Sequence, residues 1–204
     1  MFIKRNLTPS EYDISLDGRL VIPYMCIERM KNEVAAIRYI QRHTTIPTPN
    51  IRAAFEDNGR YYIVTDIVPG VTLAQLPDDK KAPVIAVVEG YMAQMHALKS
   101  KVMGSFVGDV IVPHRIIKYA PKDLKFREAD TPQFVLCHND LSQHNILVDE
   151  ATLKVNAIID WEFAGFYPPE FDGKFYLRPG PSVALNGEGC DRAILVDLLK
   201  YWRA

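Results

Sequence analysis

The chain has 204 residues, of which 48% are hydrophobic and 24% are charged, and its formal net charge is −1. This composition is ordinary for a globular protein, and the near-zero charge provides no overall basic surface for nucleic acid. The three cysteines lie far apart, without the paired spacing of a zinc or redox site, and no segment has the apolar length of a signal peptide core or a membrane span. We therefore expect a cytoplasmic protein with no nucleic acid and no membrane partner.

Near the start of the chain we predict a strand followed by an amphipathic helix. The segment Arg19–Ile27 is apolar enough for a strand, although Pro23 confines it to the edge of a sheet or to a bulge. From Glu28 to Arg42 the apolar residues recur at helical spacing, which predicts a helix of about four turns. The apolar face of this helix consists of Met30, Val34, Ile37 and Ile40.

A hairpin follows the helix. The pair Asn58-Gly59 is a strong turn signal between two predicted strands, Ile51–Phe55 and Arg60–Ile67. The sequence Val68-Pro69-Gly70 then breaks the second of these strands.

This break predicts two units in the chain, a small one in residues 1–68 and a larger one in residues 69–204. Within the larger unit, long stretches of helical periodicity predict two helices, Ala82–Leu98 and Asp191–Arg203.

The most informative pattern lies between Phe134 and Asp172. Three short apolar runs bounded by polar turns predict strands: Phe134–Cys137, Ile146–Val148 and Val155–Ile159. The last two are close enough to pair as an antiparallel hairpin, which would place Asn145 beside Asp160. Asp140, in the turn before Asn145, can join them. Two carboxylates and one amide oxygen around a single point suit Mg²⁺, whose remaining ligands would be phosphates and water.

The spacing of His138, Asp140 and Asn145, H-x-D-x-x-x-x-N, is that of a kinase catalytic loop, in which the Asp accepts the proton of the substrate hydroxyl. Asp160 lies where a second metal-binding Asp is expected. On the segments CHNDLSQHNILVD and IIDWEFAGFYPPEFD, the chain resembles the aminoglycoside phosphotransferase and choline kinase family, small-molecule kinases with a protein-kinase-like fold. Each polar residue taken singly is explained equally well by backbone groups that it satisfies in a turn, but the two motifs, their interval and their strand context agree.

The resemblance implies an α+β, two-lobed fold, with a small β-rich N-terminal lobe and a mainly helical C-terminal lobe that carries the catalytic hairpin. It also implies that ATP and Mg²⁺ are the cofactors. Asp140 would be the catalytic base, and Asn145 and Asp160 would hold the metal.

For the nucleotide, the resemblance implies a hinge and a charged pair. The hinge residues Thr65, Asp66 and Ile67 would pass the adenine with their backbone groups, although Asp66 is interpreted equally well as the polar end of a strand. Glu33 lies on the predicted helix where the partner of the phosphate-binding lysine is expected. The lysine itself is expected near Pro23 and is missing there.

Two parts of a kinase nucleotide site are thus not evident. Lys31 cannot supply the lysine, because residues two apart on a helix do not face each other and it cannot pair with Glu33. Other cations that could reach the phosphates are Lys4, Arg19 and Arg29. Among residues 1–58 the only glycine is Gly18, so no glycine-rich phosphate loop is recognised.

The acceptor is suggested by three acidic residues after the hairpin, Glu162, Glu170 and Asp172. If they gather at the catalytic turn, they suit a cationic small molecule, and the resembled family often phosphorylates aminoglycosides, choline or other amino-alcohols. Asp172 is explained equally well as a hydrogen-bond acceptor that fixes the loop.

Two functions stay open at this point. One is an ATP- and Mg²⁺-dependent phosphotransferase that transfers the γ-phosphate to a hydroxyl of a small molecule. The other is a catalytically weak or inactive kinase-like binding or scaffold protein, which the missing lysine and the missing glycine-rich loop favour.

Overall fold

The computed structural model describes residues 1–121 and 123–204, and it combines α-helices with antiparallel sheets, so the α+β class is confirmed. The α-helices of these residues are α1 (Cys26–His43), α2 (Asp78–Ala97) and α3 (Arg192–Trp202). Each of them overlaps a helix that the sequence predicted. Among the residues that the structure describes, no helix is long and apolar enough to cross a membrane.

The strands belong to three sheets. In chain order they are β1 (Phe2–Arg5), β2 (Ile51–Asp57), β3 (Arg60–Thr65), β4 (Val71–Thr72), β5 (Lys99–Ser100), β6 (Gly104–Ser105), β7 (Phe134–Cys137), β8 (Ile146–Val148), β9 (Val155–Ile158) and β10 (Gly165–Tyr167). The first sheet has the order β1-β3-β2, the second β5-β7-β10-β6 and the third β4-β8-β9.

The predicted hairpin between β2 and β3 is formed. Asn58 and Gly59 both have positive φ angles, 47° and 72°, which is the backbone of a type I′ turn and explains the choice of these two residues. Helix α1 covers this sheet with its apolar face, where Met30 and Val34 pack on Ile63. The helix is therefore held in place by burial of the face that its periodicity predicted.

The predicted strand Arg19–Ile27 is wrong. Among the described residues this segment forms one isolated bridge, Leu20 with Ile14, which is closed by backbone hydrogen bonds of Arg19 and Val21, and its last two residues belong to α1. The side chain of Ile22 is largely exposed. Pro23 lacks the N–H that a sheet ladder requires. The edge position beside β3 is taken instead by β1, which pairs with β3 along its whole length.

The main core joins α1 and α2 to the hairpin of β8 and β9. Trp161, just after this hairpin, is fully buried, and its indole N–H donates to the carbonyl oxygen of Ile158 at 2.9 Å. Asn32 of α1 is also fully buried, and its amide donates to the carbonyl oxygens of Glu162 and Ala164 at 3.0 and 2.8 Å. The helix that carries Glu33 is thus hydrogen-bonded to the segment that follows Asp160.

Gly70 marks the passage from the hinge to β4. Its φ is +119°, and a Cβ at this position would overlap the backbone carbonyl group of Val148 in β8. Glycine is required here both by the backbone conformation and by the close approach of β8. A domain boundary at Pro69-Gly70 stays a prediction.

We expect Gly70→Ala to destabilise the protein by about 2 kcal/mol or more, because the left-handed backbone is strained for alanine and the methyl group displaces β8. The matched control is Gly90→Ala in α2, where a Cβ meets open space. This change should be neutral or should stabilise by up to about 1 kcal/mol. Chemical denaturation of the two variants measures the difference, and equal stabilities would contradict the assignment of Gly70.

Candidate active site

The catalytic loop begins where β7 ends, and His138 shapes its first turn. The imidazole Nδ1 of His138 accepts the backbone N–H of Asp140 at 3.2 Å, so its Nε2 carries the proton and donates to the carbonyl oxygen of Ile159 at 3.0 Å. His138 is fully buried and packs on the ring of Trp161. These contacts agree with a role in orienting the loop.

Asn139 is the most constrained residue of the loop. It is buried, and its φ of 70° lies in the left-handed region, which asparagine tolerates better than most residues. Its backbone N–H donates to Asp172 Oδ1 at 3.2 Å, and its side-chain amide donates to the carbonyl oxygen of Phe163 at 2.7 Å. The backbone just before Asp140 is therefore held from two sides.

Asp140, Asn145 and Asp160 are brought to one region by the hairpin. The amide of Asn145 donates to the backbone carbonyl of Asp140 at 2.8 Å and to its Oδ2 at 3.3 Å. The carbonyl of Asn145 accepts the N–H of Ile159 at 3.0 Å, which places Asp160 one residue beyond this pair. The neighbourhood that antiparallel pairing predicted is present, while the roles of the three residues stay predictions.

Lys4, on β1, is the lysine that contacts Glu33. Its Nζ lies 2.8 Å from Glu33 Oε2, 2.9 Å from Asp160 Oδ1 and 3.2 Å from Glu162 Oε2. A lysine near Pro23 was the wrong expectation, because β1 and not Arg19–Ile27 lies beside β3. Glu33 has the lysine partner that the resemblance implied.

The electrostatics of this cluster are dominated by burial and by an excess of carboxylates. Burial would lower the pKa of Lys4, but the attraction of three carboxylates outweighs it and raises the pKa above its ordinary value. Burial raises the pKa of Glu33 to about 7, since Asp160 and Glu162 oppose the attraction of Lys4. Arg29 adds a second cation, with its guanidinium 2.9 Å from Glu162 Oε1.

A cavity of about 420 Å³ opens beside this cluster. The residues around it include these predicted nucleotide and metal candidates: Glu33, Thr65, Asp66, Ile67, Asn145 and Asp160. Of the three cations that could reach the phosphates, Lys4 lines the cavity, and Arg19 and Arg29 do not. Most of its remaining lining is apolar, from Phe2, Ile37, Ile63, Val68, Leu147 and Ile159.

The side chain of Asp66 does not turn into this cavity as a ligand. Its carboxylate forms a bidentate pair with Arg52, at 2.7 and 2.8 Å, and accepts from Asn50 at 3.3 Å. The guanidinium of Arg52 lowers the pKa of Asp66 below its ordinary value. The interpretation as a polar strand end therefore describes its side chain. Its backbone N–H also donates to the carbonyl oxygen of Asn50 at 3.1 Å, so of its backbone groups only the carbonyl oxygen can accept from a ligand.

The three acidic residues proposed to attract a cationic acceptor do not gather. Glu162 is engaged by Lys4 and Arg29. The side chain of Asp172 is buried and contacts His96 at 3.3 Å besides the N–H of Asn139, so it fixes the loop. Glu170 lines a different depression, together with Arg127 and Trp202.

Sequence reasoning named Lys4 only as one of three cations that could reach the phosphates, because the segment FIKR gives no sign of its partners. It missed His114, whose Nδ1 lies 3.8 Å from Asp140 Oδ1. No local pattern marks a residue whose partner is so distant in sequence.

Comparisons with known proteins agree with this geometry. Residues 111–184, which hold the catalytic loop and Asp160, match the phosphotransferase enzyme family, APH. The resemblance is confirmed. A comparison with curated proteins finds no match.

Solved structures show the fold. A ternary complex of a thermostable aminoglycoside phosphotransferase APH(4)-Ia with AMP-PNP and hygromycin B superposes with a TM-score of 0.50 at 22% identity, over 69% of this chain and 59% of that one. Aminoglycoside-3′-phosphotransferase of type VIII gives a TM-score of 0.49 at 18% identity, over 70% and 61%. The first likeness supports a protein-kinase-like fold. The chain spans about 59% of the length of that APH(4)-Ia chain.

Proposed function

We propose that the protein is an ATP- and Mg²⁺-dependent phosphotransferase that transfers the γ-phosphate to a hydroxyl of a small molecule. The observation that carries the proposal is the convergence of Lys4, Glu33 and Asp160 on one wall of the cavity. These residues come from β1, from α1 and from the end of the hairpin, and Lys4 contacts both carboxylates within 3 Å. A lysine paired to a helix glutamate beside a metal-ready Asp is the arrangement that kinases use for the triphosphate.

The lining of the cavity suits a nucleotide. The hinge, Thr65 to Val68, lines the cavity, and among the described residues no protein acceptor is found for the N–H groups of Ile67 and Val68. These groups and neighbouring carbonyls would bind the adenine edge, while the apolar lining would cover its faces. Lys4, which lines the same cavity, would bind the phosphates.

Asn145 and Asp160 fit a magnesium ion by their chemistry. The amide nitrogen of Asn145 donates to Asp140, which leaves Oδ1 of Asn145 for a cation. In Asp160, Lys4 contacts Oδ1 and leaves Oδ2 for the same cation. Hard oxygen donors in this small number are typical of Mg²⁺ bound together with phosphates. The ion would neutralise negative charge on the phosphates.

Asp140 would act on the acceptor. It is partly exposed, hydrogen-bonded to the amide of Asn145 and held by a loop whose backbone is fixed on both sides. Its carboxylate would orient the acceptor hydroxyl and accept its proton as the phosphoryl group is transferred. We propose an amino-alcohol or aminoglycoside-like acceptor by analogy with the family, and the APH(4)-Ia structure, which contains hygromycin B, is consistent with that class.

The first test is calorimetric titration with AMP-PNP, with and without Mg²⁺, for the wild type and for Asp160→Ala. We expect Mg²⁺ to tighten binding by about tenfold or more and Asp160→Ala to remove most of this gain. The matched control is Asp197→Ala, an exposed carboxylate of α3 that pairs only with Lys200. A gain that survives in Asp160→Ala would refute the metal assignment.

The alternative is a kinase-like protein that binds without turnover. The observation that favours it is the scarcity of glycine in residues 1–58, where Gly18 alone is present, so a glycine-rich phosphate loop is not recognised in this segment. Lys4, which contacts Glu33, would supply the lysine whose absence was the other argument. Mg²⁺-dependent binding of AMP-PNP, together with no phosphoryl transfer from ATP to water or to amino-alcohols, would favour this alternative.

A further inference from the structure

Arg115 is a buried cation outside the cavity described above. Its side chain is 1% exposed, and its guanidinium donates three hydrogen bonds in three directions. The acceptors are the carbonyl oxygen of Asn139 at 2.9 Å, the carbonyl oxygen of Phe171 at 2.7 Å and Asp191 Oδ2 at 2.8 Å. A buried charge with this many good contacts is strongly held in one orientation.

The hydrogen bond from Arg115 to Asn139 is made to the peptide group that links Asn139 to Asp140, the candidate base. The carbonyl oxygen of Asn139 and the N–H of Asp140 belong to the same peptide group. Arg115 holds the carbonyl side, and His138 Nδ1 holds the N–H side at 3.2 Å. The plane of this peptide determines where the side chain of Asp140 points.

The other two contacts connect this peptide to distant parts of the chain. Phe171 directly precedes Asp172, whose carboxylate accepts the N–H of Asn139. Asp191 directly precedes α3, so the one charged partner of Arg115 within residues 1–121 and 123–204 comes from the start of that helix. Arg115 thereby joins the catalytic loop, the segment after β10 and α3 at one buried point.

We propose that Arg115, balanced by Asp191, is a positioning residue that fixes the Asn139–Asp140 peptide and so the direction of the Asp140 carboxylate. The inference rests on the proposed function for its catalytic consequence. It assigns to Arg115 no contact with substrate or nucleotide.

Lysine is not equivalent to arginine at this position. A guanidinium reaches three separated acceptors with a rigid set of N–H groups, whereas an ammonium is a single point at the end of a flexible chain. Arg115→Lys should keep the charge that Asp191 balances and lose part of the hydrogen bonding to the carbonyl oxygens of Asn139 and Phe171. It therefore separates the effect of charge from the effect of geometry.

Hydrogen–deuterium exchange tests the positioning without any substrate. In Arg115→Met we expect the amides of residues 138–140 to exchange at least tenfold faster, with α1 unchanged. Asp191→Asn should accelerate the same amides by a smaller factor, and it provides the test if Arg115→Met does not fold. The control is Arg192→Met, because Arg192 lines the same surface depression as Arg115 but bonds only to Cys190 and Tyr119.

Kinetics then test the consequence. Arg115→Met should lower kcat for ATP hydrolysis at least tenfold with the KM for ATP within twofold of the wild type, and Arg115→Lys should recover part of the loss. Unchanged exchange at residues 138–140, or equal acceleration along the whole chain, would overturn the proposal. A wild type that neither binds AMP-PNP nor hydrolyses ATP would refute the proposed function instead, and the exchange result would still decide whether Arg115 fixes the loop.

Discussion

Asp140→Asn should lower the rate of phosphoryl transfer by about a hundredfold or more while leaving AMP-PNP binding within about twofold of the wild type. The amide keeps the size of the side chain and its contact with Asn145, but it cannot accept the proton of an acceptor hydroxyl. Residue 140 lies outside the lining of the cavity proposed to bind the nucleotide, so the substitution should not affect AMP-PNP binding. Release of ADP, with water and with a panel of amino-alcohols as acceptors, measures the effect.

Asp197→Asn is the control for this substitution. Asp197 is an exposed residue of α3, and the same chemical change there should alter neither binding nor turnover. If Asp140→Asn turned over as fast as this control, Asp140 would not be the base, and the kinase mechanism on this loop would have to be abandoned.

Lys4→Met should lower ATP turnover by about a hundredfold to a thousandfold and also weaken AMP-PNP binding. The ammonium group is the only cation in contact with both Glu33 and Asp160 among the residues that the structure describes, and it lines the cavity where phosphates would lie. Lys4→Arg should give an intermediate loss, because it keeps the charge with a different shape. Steady-state hydrolysis and calorimetry measure the two effects separately.

The control for Lys4 is Lys31→Met. Lys31 belongs to α1 but pairs at the surface with Glu56, at 3.3 Å, so its removal should cost less than about 1 kcal/mol and leave turnover intact. A thermal melt of Lys4→Met must accompany the assay, because Glu33 and Asp160 then lose the cation that they contact, while Glu162 keeps Arg29. Full turnover in a folded Lys4→Met variant would show that the phosphates are bound elsewhere.

The contacts of Lys4 bear on the proposed nucleotide binding. The ammonium is bound by Glu33, Asp160 and Glu162 together. Phosphates that enter with Mg²⁺ would compete for Lys4 and for Asp160 at once, so the pair Lys4–Asp160 should separate while Lys4–Glu33 persists. Less positive charge would then surround Glu162, which also contacts Arg29.

The amino-acid sequence by itself determined the elements that depend on neighbouring residues. Helix α1 follows from the period of its apolar face, and the turn at Asn58-Gly59 follows from residues that accept positive φ. The hairpin of β8 and β9 brought Asn145 and Asp160 together because antiparallel pairing relates residues about a dozen positions apart. The catalytic motif was recognisable since its spacing lies within one loop.

Only the tertiary structure decided which distant residues meet. Lys4 lies 29 residues from Glu33 and 156 residues from Asp160, and no periodicity connects them. The apolar segment Arg19–Ile27 predicted a strand, but a strand is stabilised by a partner, and the place beside β3 belongs to β1. The partners of Arg115 are likewise set by packing, because a buried guanidinium must find its acceptors wherever the folded chain presents them.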